Sequence, residues 1–319
     1  MNKILAPLNN RLFLDDLINS GVDEFYMGFH DAAWTDCYGE YSEINRMSGF
    51  KKAANPYNLE ELLDVAKEIK KKSKSIFVTV NSATYTQKEL DKLKEYFNVF
   101  AKAKIDGVIV STPELTLLAK ECGVEPIAST MCGLFNSELV SFYRSLGMNR
   151  MILPRDLSMD EISRIVQKNP DITYEVFLMR NGCQFSDSHC LGFHRNKGST
   201  CSMLNNAQCS INSSFSGFKM RHAIELNHEL YGKWFHKVAA CGLCALYRFY
   251  HMGIGSYKIV GRSENPNGIM NDARIVRENL SIVASCKNEE EFLERMILPH
   301  DSLQACKLGL SCYYPEIRF

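Results

Sequence analysis

Short, nearly uninterrupted apolar runs alternate with longer amphipathic stretches along this chain. The runs at 3–8, 24–29, 75–82, 107–111, 126–131, 150–154, 172–179 and 256–260 lack a clean apolar–polar alternation. That is the pattern of parallel strands covered on both faces. Between them, apolar residues recur at helical spacing. Leu59, Leu62, Leu63, Ala66 and Ile69 mark one predicted helix over 59–72, and Leu90, Leu93, Phe97 and Phe100 mark another over 87–104. Further helices are predicted over 136–146, 158–166, 270–283 and 289–296. Asn58 and Ser158 read as N-caps, Ser158 with Glu161 three residues on as a capping box, and Gly123 and Gly147 read as helix stops.

Eight strands alternating with helices predict an α/β chain with a (β/α)8, TIM-barrel-like domain over 1–285. A helix and an extended cap follow over 286–319. The rival is an open doubly wound sheet. Its dinucleotide-binding form is disfavoured, because no Gly-x-Gly-x-x-Gly follows the first strand. Long insertions are expected over 30–57, after strand 2, and 181–237, after strand 7. Both leave the C-terminal ends of strands, the face on which barrel enzymes carry out chemistry.

Composition adds bounds. Of the 319 residues, 45% are hydrophobic, enough for a sizeable core. Lys plus Arg and Asp plus Glu both total 37, so global charge does not argue for nucleic acid or membrane binding, and only a local basic patch could. No apolar run has the length of a membrane span, and the N-terminal residues lack the apolar stretch of a signal peptide. A cytoplasmic location is the expectation, in which the twelve cysteines are thiols or ligands rather than disulfides.

Six cysteines, Cys183, Cys190, Cys201, Cys209, Cys241 and Cys244, fall within the second insertion and just after it. Thiolates are soft donors suited to an iron–sulfur cluster, with zinc as the alternative. The irregular spacing, with a single tight Cys-x-x-Cys at 241–244, suits a cluster held between a loop and a returning helix. A thioredoxin-like reading of that pair lacks the small βαβ context it needs. Cys122, Cys286 and Cys306 read as small buried hydrophobes. Cys37, in a loop beyond strand 2, could reach the same face or be a plain loop thiol.

Other chemistry gathers at strand ends. Arg155, Lys258 and Arg262 could hold a small anionic substrate or form salt bridges across the barrel mouth. Asn81 could bond a substrate or close its own turn. Glu175 is either a barrel-lining acid or the partner of a nearby cation. Phe185, Phe193, Phe215, Phe218 and Trp234, interleaved with Arg195, Lys197, Lys219 and Arg221, could stack on a ring or base, or pack the insertion's own core. There is no Gly-x-Ser-x-Gly, His-Glu-x-x-His or P-loop. A Cys–His dyad would have to use His189 or His194 beside Cys190.

The stretch Glu175-x-Phe177, followed by Cys183 and Cys190, resembles the signature of the collagenase-like peptidase family U-32, Glu-x-Phe-x-x-Gly-small-apolar-Cys-x4-Gly-x-Cys. Arg180 and Ser188 stand at the family's glycine positions, and Asn181-Gly182 replaces its small–apolar pair. Asn196-Lys197-Gly198 before Cys201, the run from Met252 to Arg262, and Val22 to Gly28 are also similar to family motifs, with Val260 in place of a glutamate. The resemblance spans about residues 3–265 and implies a barrel carrying a 4Fe–4S cluster. It implies Cys183, Cys190, Cys201 and Cys241 as ligands, Cys241 on the helix before strand 8, with Cys209 and Cys244 in reserve. It further implies oxygen-independent hydroxylation of a nucleobase or of a small aromatic or quinone ring. A collagenase-like peptidase and a non-catalytic iron–sulfur partner protein are the alternatives, and the resemblance also allows a paralogous partner subunit.

Overall fold

The computed structural model describes residues 2–39, 42–182, 186–188, 240–299, 306 and 312–317. Eight parallel strands close into a barrel in sequence order: β1 (Lys3–Pro7), β2 (Glu24–Met27), β3 (Ser75–Val80), β4 (Gly107–Val110), β5 (Pro126–Ala128), β6 (Arg150–Ile152), β7 (Thr173–Met179) and β8 (Ser256–Ile259). Closure is made by β8 beside β1, with Lys3 opposite Ser256 and Leu5 opposite Lys258. Where a strand has an incompletely buried residue, it is the first, as at Lys3, Ser75, Arg150 and Thr173. The C-terminal ends are thus the covered ends.

The outer helices are α1 (Leu14–Asn19), α2 (Ala32–Tyr38), α3 (Leu59–Lys71), α4 (Gln87–Lys102), α5 (Pro113–Glu121), α6 (Ser137–Ser145), α7 (Met159–Lys168), α8 (Leu246–Met252), α9 (Pro266–Ser285) and α10 (Glu289–Arg295). Capping boxes at Asn58, Thr86 and Ser158 start α3, α4 and α7, each satisfying two otherwise orphaned N–H groups. One apolar stripe of each faces the barrel, for example Leu62, Val65, Ala66 and Ile69 on α3.

The eight strands start within one residue of the sequence expectation, and most end earlier. After β5 the chain turns at once into a 3-10 segment, Thr130–Cys132, because Ser129 caps Met131 N–H and Gly133 adopts φ +65°. Two helices absent from the sequence reading are present, α1 and α2; α5 was marked there only by its stop at Gly123, and α8 only as a helix before strand 8. Cys37 lies on α2 and is exposed, not in a loop. No helix of the described residues is long and apolar enough to cross a membrane.

The end of β7 carries the main irregularity. A register shift between Phe177 and Met179 frees this edge to pair with a second segment. Met179 pairs antiparallel with Cys241, Arg180 N–H donates to Ala240 C=O (2.7 Å), and Gly242 N–H donates to Leu178 C=O (2.8 Å). Cys241 in turn pairs with Cys312 from the tail. Cys241 therefore sits in a bridge ahead of α8, not on the helix as expected. A Cβ on Gly242 would press into the Tyr314 ring, so glycine lets the tail dock here.

Candidate functional site at the barrel mouth

An ionic layer closes the N-terminal end of the barrel. Arg150 donates through Nη1 to Glu24 Oε1 (2.9 Å) and through Nε to Glu175 Oε1 (2.5 Å). Lys3 and the Ser256 hydroxyl also donate to Glu24. The guanidinium packs over Phe77, 4.4 Å from the ring centre. Glu175, fully buried, is thus the partner of cations, since Lys258 Nζ lies 3.6 Å from its other oxygen. In this geometry it holds a neighbouring charge in place.

Above that layer, Lys258 stands over the Tyr26 ring at 4.2 Å. Burial pushes its pKa down to about 8, opposed by Glu175 and assisted by Arg150 and Arg262. Arg262, only 8% exposed, donates to Thr79 Oγ1 (2.7 Å), Asn55 Oδ1 (3.2 Å) and Asn45 Oδ1 (3.1 Å). These acceptors are neutral, and among the described residues no carboxylate pairs with it. Burial lowers its pKa to about 10, so it stays charged near neutrality. The cradle closes because residue 28 is glycine: a Cβ there would collide with Asn55 and Arg262.

A second knot ties the loops at the strand ends. Asp187 is buried between Arg46, from the first insertion, and Arg155, from the end of β6. Arg155 reaches Asp187 Oδ2 through Nε (3.2 Å) and Nη2 (3.0 Å), and Asn181 C=O through Nη1 (2.7 Å). Its guanidinium also lies 4.4 Å over the Phe177 ring centre. Burial opposes ionisation of Asp187, yet the two guanidiniums and the Thr130 hydroxyl hold its carboxyl well below the usual range. Asn81 joins this roof, donating to Ser129 Oγ (2.9 Å) and accepting from Arg46 N–H (3.3 Å). Arg155 and Asn81 are therefore engaged in loop contacts, while Lys258 shares Glu175 with Arg150 and Arg262 has no carboxylate partner among the described residues.

Of the cysteines implied as ligands, Cys241 is described, and so is the reserve Cys244. Cys183, Cys190, Cys201 and Cys209 lie outside the described residues, as do His189, His194 and the basic and aromatic residues of the second insertion. Cys241 is buried, and burial pushes its thiol pKa up, with Cys244, Cys306 and Cys312 adding to the rise. A proton leaves such a thiol readily only when a cation replaces it. Among the described residues, no three His, Cys, Asp or Glu side chains are arranged to hold a metal. One thiol of the implied set nevertheless sits opposite Met179, four residues before Cys183. The donor type fits a cluster.

Several residues escaped the sequence reading. Asp187, Arg46, Asn45, Asn55 and Thr79 are scattered and carry no motif; only their polarity near strand ends could have flagged them. Cys312 also went unnoticed. It is brought to Cys241 by Tyr313 N–H donating to Cys241 C=O (3.0 Å) and by the Tyr314 hydroxyl donating to Phe177 C=O (3.0 Å).

Comparison with known proteins gives a consistent result. The model of peptidase family U32 matches residues 12–307. A protein called an uncharacterized protease in Methanocaldococcus jannaschii is 25% identical over 295 residues, covering 89% of this chain and 66% of its own length. A collagenase of Porphyromonas gingivalis is 22% identical, covering 92% and 69%. The tRNA hydroxylation protein P1 of Bacillus subtilis is 25% identical, covering 91% and 65%. The chain thus spans about two-thirds of the length of these relatives. With its family match over most of its length and its closed eight-stranded barrel, the chain belongs to peptidase family U32.

Proposed function

We propose that this chain is an enzyme, or a subunit of one, for oxygen-independent hydroxylation of a nucleobase. A small aromatic or quinone ring is the second substrate class. A 4Fe–4S cluster held by Cys183, Cys190, Cys201 and Cys241 would serve it, with Cys209 and Cys244 in reserve. The observation that carries the reading is the pairing of Cys241 with Met179, which sets one thiol of this set beside the strand that runs into Cys183. The relative named for tRNA hydroxylation supports the reaction class.

When bound, the cluster would supply electron transfer or a site for an oxygen-donor molecule. The chain's own residues do the rest. Lys258 and Arg262 attract an anionic group such as a phosphate, because their charge is buried and lacks a full counterion. The loops knotted at Asp187 lie at the strand ends, where Asp187, Asn45 and Asn55 are buried. The Tyr26 and Phe177 rings, each under a cation, line the strands nearby.

The peptidase reading has support from the relatives named protease and collagenase. It needs a nucleophile beside a base. The two described histidines do not supply one: His30 Nδ1 bonds Asn55 C=O (2.8 Å), and His251 packs against Tyr247 and Tyr250. The deciding experiment incubates the anaerobically reconstituted chain, with a paralogous partner where one exists, with RNA and weighs its nucleosides. A nucleoside gaining one oxygen, lost in Cys183→Ala, is the expected result. Peptide hydrolysis that survives Cys183→Ala, with no modified nucleoside, would overturn the proposal.

A further inference from the structure

Arg150, Arg155 and Arg180 are largely buried, and each has a carboxylate partner: Glu24 and Glu175 for Arg150, Asp187 for Arg155 and Asp272 for Arg180. Arg262 is as deeply buried and has none among the described residues. Its Nη1 donates to Thr79 Oγ1 and Asn55 Oδ1, and its Nη2 to Asn45 Oδ1. Those bonds use both hydrogens of Nη1 and one of the two on Nη2. The Nε–H and the second Nη2 hydrogen have no acceptor among the described residues. Adjacent donors of this kind form the fork that grips two oxygens of a carboxylate or phosphate.

The three neutral acceptors are themselves held from outside. Asn45 Oδ1 also accepts from Met47 N–H (2.9 Å), and Asn45 Nδ2 donates to Asn55 Oδ1 (3.0 Å). Asn55 Nδ2 donates to the carbonyls of Met47 (2.9 Å) and Lys51 (3.3 Å), and the Thr79 hydroxyl donates to Met27 C=O (3.2 Å). Both asparagines are buried. Each acceptor oxygen is therefore aimed at the guanidinium by bonds made elsewhere. Gly261, at φ +122°, turns the chain after β8 immediately before Arg262. A buried guanidinium without a counterion is costly, and an aspartate at position 45 would supply one with little change of shape. Asparagine there leaves the charge unspent.

We propose that Asn45 and Asn55 determine specificity at the barrel mouth: as neutral acceptors they orient Arg262 without neutralising it, so that its Nε–Nη2 edge, together with Lys258, takes an oxyanion of the substrate, a phosphate or a carboxylate. The proposal rests on the anion-binding role given to Lys258 and Arg262 above. Lys258 lies near enough to feel the Arg262 charge, and its own carboxylate partner, Glu175, is shared with Arg150. Asn45 and Asn55 are positioning residues, acting through Arg262. A carboxylate in place of either amide would provide the anion from within the chain and compete with the substrate for the same guanidinium.

The test compares Asn45→Asp with Asn45→Ala in the full chain. Both lose the amide donor to Asn55, and the aspartate alone adds charge. Calorimetry at pH 7 measures binding of inorganic phosphate and, separately, of acetate; the anion that the unsubstituted chain binds more tightly identifies the oxyanion class. For that anion, Asn45→Asp should weaken binding at least about tenfold and Asn45→Ala by about threefold or less. Urea midpoints, in buffer free of both anions, give a second readout. Asn45→Asp should lower the midpoint less when Arg262 is present than in an Arg262→Met background, because the new carboxylate pairs with the guanidinium. Anion binding by Asn45→Asp equal to that of Asn45→Ala would overturn the proposal. Binding of neither anion by the unsubstituted chain would overturn the anion-binding reading. The urea midpoints would then decide the proposal separately, an equal drop in both backgrounds showing that Arg262 has no charge to spare.

Discussion

The Arg180 guanidinium pairs with Asp272 of α9, through Nε to Oδ2 and through Nη2 to Oδ1 at 3.3 Å. Arg180 stands where the family signature has glycine, and its φ of +64° shows what that glycine serves. A left-handed backbone costs a non-glycine residue about 1–2 kcal/mol, and here the ion pair offsets it. Gly268 makes room, since a Cβ there would press into the guanidinium. Arg180→Gly should relieve the backbone but strand a buried carboxylate. The expected net loss is about 2 kcal/mol at pH 7, read as a lower urea midpoint. An increase in stability at pH 7 would contradict this.

Asp272 should also give the protein a measurable pH dependence. Burial, against the pull of Arg180, pushes its pKa up to about 6 from the ordinary 3.8. The folded chain therefore binds more protons than the unfolded chain between those values. Its contribution to stability is largest below about pH 4 and is lost as pH rises to about 6, by up to about 3 kcal/mol. Asp272→Asn should flatten that slope in urea titrations at pH 4, 5, 6 and 7. An unchanged slope would show that other groups cause it.

Anion binding at the barrel mouth should track Lys258. Its pKa of about 8 means that the amine is charged at pH 7 and largely neutral at pH 9. Affinity for inorganic phosphate, measured by calorimetry, should fall by about tenfold or less over that range, a bound anion itself holding the proton on. Arg262→Met should weaken binding about tenfold or more at both pH values, with the fall on raising pH retained, whereas Lys258→Met should remove that fall. Equal phosphate affinity in all three proteins would remove these residues from anion binding.

Cys241 and Cys312 are neighbours in register but are expected to play different roles. Cys241→Ser should lower iron retention sharply. Cys312→Ser should leave the iron content near that of the unsubstituted chain and lower stability by about 1 kcal/mol through loss of a small buried apolar side chain. Iron loss in Cys312→Ser alone would move the ligand role to the tail.

The barrel was legible because its strands are mostly short, largely apolar runs buried on both faces, and eight of them alternate with helices. The helices that escaped notice, α1 and α2, are short. The start of α5, read only from its stop at Gly123, also carried a signal, Thr112 capping Leu115 N–H with Pro113 at the first helical position. Strand ends were read too long because Ser129 and Asn81 continue the sequence of strand-like residues after the backbone has turned into loops. Lys258 and Arg262 were visible from their places at a strand end. Asp187 and Arg46 were not, because a contact across 141 residues leaves no local periodicity. Cys241 was expected on a helix because the resemblance to family U-32 implied a ligand on the helix before strand 8. The tail that pins it, through Cys312 and Tyr313, comes from the far end of the chain.

The central claim is a thiol-bound cluster at the mouth of the barrel, and iron and acid-labile sulfide per chain after anaerobic purification test it most directly. A brown protein with about four irons is the expected result. That content should be lost in Cys183→Ala and Cys241→Ala, and retained in Cys122→Ala on the outer surface. A colourless protein that binds stoichiometric zinc even after anaerobic reconstitution with iron and sulfide would contradict it.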